Sequence, residues 1–76
     1  MKRRNHIMAR ENIYQALIKR YEAEISDAHT KIMMMVQGAN IIPEHIDITG
    51  EIDKLLAKVE AAESKMAILK RNYGTN

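Results

Sequence analysis

Seventy-six residues allow one domain at most, and 46% apolar with 29% charged side chains is a balance that excludes a disordered chain. One proline, three glycines and three aromatic residues leave too little turn chemistry for an all-β fold, and the lack of cysteine excludes disulfides and thiolate zinc sites. The net charge of +2 is small but unevenly placed, with Lys2, Arg3, Arg4 and Arg10 crowding the N-terminus.

The opening MKRRNHIMAR is basic, but no apolar stretch of about 7–15 residues follows it, so it does not read as a secretory signal. No window approaches the roughly 20 apolar residues of a membrane span, which makes the cytoplasm the default location. Residues 1–8 are expected to form a basic arm ahead of the first helix. Met8, followed by ARENIYQAL, would serve as an alternative natural start. Lys2, Arg3, Arg4 and Arg10, with His6, are the candidate contacts to a nucleic-acid backbone or an acidic partner. Four charges are few and no aromatic residue stands among them, so this reading ranks second.

The first helix is expected over residues 9–37. Ile7, Tyr14, Ile18, Tyr21, Ile25, Ala28, Ile32 and Met35 follow the alternating three-and-four spacing of a coiled-coil seam, breached only at Glu11. Ile13 and Leu17 lie off that stripe. Near the end runs IMMMV, Ile32 to Val36, five successive apolar residues that at about 100° each cover the whole helix circumference. Gly38 is the expected left-handed cap. A loop over 38–48 follows, carrying Ile41, Ile42, Ile46 and Ile48, with Pro43 placed to open a single turn at PEHI. Glu44, His45 and Asp47 cluster there, but without converging ligands they read as solvated loop polarity rather than as a metal site.

The second helix is expected over 49–73, starting after Thr49, with Glu51 and Asp53 complementing the helix dipole in its first turn. Ile48, Ile52, Leu55, Val59, Ala62, Met66, Leu69 and Tyr73 form its apolar stripe. Lys70 and Arg71 suit its last turn, and Gly74 ends it.

Two long helices joined by so short a link predict an all-α fold, a long antiparallel two-helix hairpin of coiled-coil type. Setting Met35 against Ile52 places Ile32 opposite Leu55, Ala28 opposite Val59 and Ile25 opposite Ala62. Tyr21 then meets Met66, Ile18 meets Leu69 and Tyr14 meets Tyr73. The two alanines fall in adjacent central layers and would let the helix axes approach closely. Glu11 would face Asn76, beyond the end of the second helix, although pairing with a neighbouring Lys or Arg would also suit a seam carboxylate.

A hairpin buries only one stripe per helix, and chains of this size rarely gain more than about 3–5 kcal/mol from a single core. Ile13, Leu17, Leu56 and Ile68 lie off the stripes, and Met33 and Met34 point away from the seam with Val36 at its flank. The economical solution is self-association, most simply a two-fold dimer forming a four-helix bundle. Met33, Met34, Val36, Ile41, Ile42, Leu56, Ile13 and Leu17 are therefore the candidate contacts to a second copy or to another protein. Methionine suits such a contact because its flexible thioether fills irregular gaps.

His6, His29 and His45 include no pair at the i, i+4 spacing of a helical metal site. No nucleophile stands beside a base at a recognisable spacing, and no glycine-rich phosphate loop is present. The sequence thus reads as a non-enzyme without metal or cofactor. It fits a small structural or interaction module, a homo-oligomeric assembly unit, adaptor or accessory subunit. Its size and simplicity are those of the small helical proteins encoded by phages and bacteria.

Overall fold

The computed structural model describes the backbone of residues 2–38 and 47–74, and the side chains of 9–38 and 47–74. Within these residues the chain is entirely helical, without a strand. Helix α1 spans Lys2–Gln37 and α2 spans Ile48–Tyr73, and the two pack against each other. At about 1.5 Å of rise per residue, the 36 residues of α1 make a helix about 54 Å long. The molecule accordingly measures 60 × 19 × 18 Å, and its radius of gyration is 17.6 Å. A compact domain of this length would have a radius of gyration of about 11 Å. The chain is a thin rod.

Helix α1 begins at Lys2, whereas the sequence placed residues 1–8 in an arm and the helix start at residue 9. Nothing between Lys2 and Ala9 is a helix breaker, so the backbone has no reason to leave the helix there. No acidic residue stands in the first turn of α1 and no basic residue in its last. Neither end therefore gains from the helix dipole, and α1 relies on packing along its length.

The C-terminal end of α1 differs from expectation too. Gly38 does not adopt a left-handed conformation, since no described glycine has a positive φ. Its N–H donates to the Met34 carbonyl at 2.8 Å, so it closes one more ordinary helical turn instead of reversing the chain. The turn expected at PEHI lies outside the described residues, as do Ile41, Ile42, Glu44, His45 and Ile46.

Helix α2 starts two residues earlier than a Thr49 cap would have it. Asp47 is the cap, with φ −78° and ψ 91°, and its side chain accepts from the Gly50 N–H. At the other end, Gly74 takes φ −70° and ψ 143°, and its N–H donates to the Lys70 carbonyl at 3.1 Å. Glu51 in the first turn, and Lys70 and Arg71 in the last, complement the dipole of α2.

The core is a single thin line. Ile18 and Ala28 of α1 and Leu55, Val59 and Ala62 of α2 are its buried apolar residues. Ala28, Leu55 and Val59 form one cluster, against which Ile25, Ile32 and Met35 pack. Ala28 and Ala62 are each only 2% exposed, because side chains this small leave no gap between the helices. No polar or charged residue is buried among the described residues. At the far end of the rod Tyr14 reaches the residue that follows α2: a Cβ built on Gly74 would lie 3.1 Å from its Oη.

Candidate interaction surface

The structure sorts the residues of interest by exposure. Besides the five buried residues, Tyr14, Tyr21, Ile25, Ile32, Met35, Ile52, Met66 and Leu69 are half-buried. Tyr73, expected in a layer with Tyr14, lines the same recess as Tyr14 but is 67% exposed. It is the last residue of α2, so no further turn covers its ring. Leu17, expected off the stripe, is half-buried beside Ile18. Glu11 is half-buried as well.

The large apolar side chains left in solvent are Ile13, Met33, Met34, Val36, Leu56, Ile68 and Tyr73. Met34 is 67% exposed and Ile13 61% exposed, at opposite ends of α1. Single exposed apolar side chains occur on most proteins, but among the described residues here these seven outnumber the five of the buried core. Ile41 and Ile42, two of the expected contacts, lie outside the described residues.

Two recesses open along the rod. One, of about 290 Å³, is lined by Arg10, Glu11, Ile13, Tyr14, Leu17, Leu69 and Tyr73. It lies where α2 ends and α1 continues, and Arg10 is exposed at its rim. The other, of about 260 Å³, lies mid-rod between Glu24, Asp27 and Ala28 of α1 and Lys58, Ala61, Ala62 and Lys65 of α2. The side chains of Lys2, Arg3, Arg4 and His6 are outside the described set, so Arg10 is the one expected basic contact whose position is given.

Charge on the rod is mostly local. Arg20 pairs with Glu24 at 3.7 Å, Lys31 with Asp27 at 3.0 Å and Lys54 with Glu51 at 3.6 Å, each within one helix and each exposed. Exposed pairs of this kind contribute little, about 0.3–0.5 kcal/mol. Across the helices, the Lys65 Nζ sits 5.9 Å from the centre of the Tyr21 ring.

The Asp47 cap perturbs its own carboxyl. The Gly50 backbone N–H, 3.0 Å from its Oδ1, holds the carboxyl below its usual range, and the Thr49 hydroxyl donating at 3.1 Å acts in the same direction. From the sequence, the helix start falls after Thr49 and Asp47 falls in the loop; Asp47, a favoured cap residue type three positions before Gly50, is the signal passed over. A Cβ on Gly50 would collide with the Asp47 carboxyl.

Among the described residues no group of three or more His, Asp or Glu side chains could hold a metal ion, and no helix is long and apolar enough to cross a membrane. Comparison with protein-family models, curated proteins and solved structures found no match.

Proposed function

We propose that this chain is a small structural or protein-interaction module. In this reading it is an antiparallel helical hairpin that pairs with a second copy to form a four-helix bundle. It acts in the cytoplasm as an assembly unit, adaptor or accessory subunit, and not as an enzyme. The observation that carries the reading is the imbalance, among the described residues, between five buried apolar residues and seven large apolar side chains left in solvent. Tyr14 beside Gly74 at one end, and Ile32 and Met35 beside the Leu55 cluster towards the other, support the antiparallel order.

The experiment replaces the exposed tip. Met33 and Met34, if covered by a second subunit, each contribute about 1.5–3 kcal/mol when fully buried. The Met33→Lys, Met34→Lys double variant should shift toward monomer in sedimentation velocity at tens of micromolar while keeping its helical circular dichroism. A Met35→Lys variant should instead lose helicity, since Met35 packs on the core cluster of the hairpin itself. Wild type that sediments as a monomer at that concentration would overturn the reading.

A further inference from the structure

The exposed apolar side chains do not share one face, so self-association has to choose. The mid-rod groove supplies the choice. Its floor is Ala28, Ala61 and Ala62, its α1 bank carries Glu24 and Asp27, and its α2 bank carries Lys58 and Lys65. Helical spacing puts apolar neighbours on the same face: Ile13 and Met34 stand fourteen and seven residues from Asp27, Leu17 seven before Glu24, and Ile68 seven after Ala61. Met33, Val36 and Leu56 fall outside this series.

We propose that the second copy docks on this groove, with the two-fold axis running along the rod. That axis sets α1 of each chain against α2 of the other. The acidic bank of one chain then lies over the basic bank of its partner, twice per dimer. The proposal rests on the self-association argued above and adds the face it uses.

Three observations converge on it. The banks carry opposite charge, and a like-with-like approach would cost several-fold in affinity, so the pattern selects one docking geometry. Neither Lys58 nor Lys65 enters any of the described ion pairs, whereas Glu24 and Asp27 hold only exposed partners within α1, Arg20 and Lys31. The alanine floor lets a partner helix approach closely, and the groove lies mid-rod, where both helices are present to be covered.

The test uses two full-length variants. Lys58→Glu with Lys65→Glu makes both banks acidic, and Glu24→Lys with Asp27→Lys makes both basic. All four positions are exposed, so the fold should survive, and circular dichroism checks it. Each variant alone should dimerise at least about tenfold more weakly than wild type in sedimentation equilibrium at low salt. An equimolar mixture of the two should recover the dimer, as a heterodimer. Ala61→Gln, which fills the groove without changing charge, should also weaken the wild-type dimer. If both charge variants dimerise alone as wild type does, or if their mixture recovers nothing, the groove is not the docking face, although self-association would stand. A monomeric wild type would sink both proposals together.

Discussion

At the scale of single residues, two positions set the ends of α2. The Asp47 carboxylate caps the helix by accepting from the Gly50 N–H, and it occupies the space that a Cβ on Gly50 would take. An exposed helical glycine replaced by alanine ordinarily gains about 1 kcal/mol. Gly50→Ala should show no such gain in thermal denaturation, and NMR titration should find the Asp47 pKa back near its usual value. Because the folded pKa lies below the ordinary 3.8, the cap contributes stability above that pH and loses it as pH falls through the lower folded value. The melting difference between wild type and Asp47→Ala should therefore be largest near neutrality and vanish in strong acid. A difference that grows on acidification would contradict the cap. At Gly74 a Cβ would lie 2.5 Å from the Lys70 carbonyl oxygen, a backbone atom that cannot swing aside. Gly74→Ala should cost about 0.5–1.5 kcal/mol, read from chemical denaturation. The sequence put the helix start after Thr49, whereas Asp47 closes it, because its carboxylate reaches the Gly50 N–H and the Thr49 hydroxyl turns to that carboxylate.

At the scale of the helix pair, the central fact is the close approach at the alanines. Ala28 and Ala62 are almost wholly buried where the helices meet. Ala28→Leu and Ala62→Leu should each destabilise the fold by roughly 1–3 kcal/mol through overpacking. Unchanged or raised melting temperatures for both would show that the helices do not meet tightly there. The existence and type of both helices were legible because their apolar residues recur at three and four over several turns. Their ends were less so. Residues 2–8 lack that apolar pattern, yet the helix runs through them, since continuation needs only the absence of a breaker. Gly38 invited a left-handed cap, but its φ is not positive, although its N–H donates to the Met34 carbonyl. Tyr73 kept the stripe spacing while losing its cover, because the helix stops there.

At the scale of the whole molecule, a rod this thin cannot enclose its apolar side chains, whatever the register of its two helices. That imbalance was visible in the sequence as isoleucines, leucines and methionines off the stripes. The opposed charge banks beside Ala61 were not, because they arise from two helices and appear only once those are laid together. The run Ile32 to Val36 shows the division of labour. Ile32 and Met35 turn toward α2, while Met33, Met34 and Val36 stay in solvent. A second copy over the rod would cover part of that surface and convert a marginal hairpin into a bundle with a two-sided core. The central claim is therefore a statement about mass. Sedimentation equilibrium of the wild-type chain at tens of micromolar and low salt should return twice the 8.7 kDa of one chain, with melting temperature rising with concentration. A mass of 8.7 kDa, with a melting temperature independent of concentration, would contradict it.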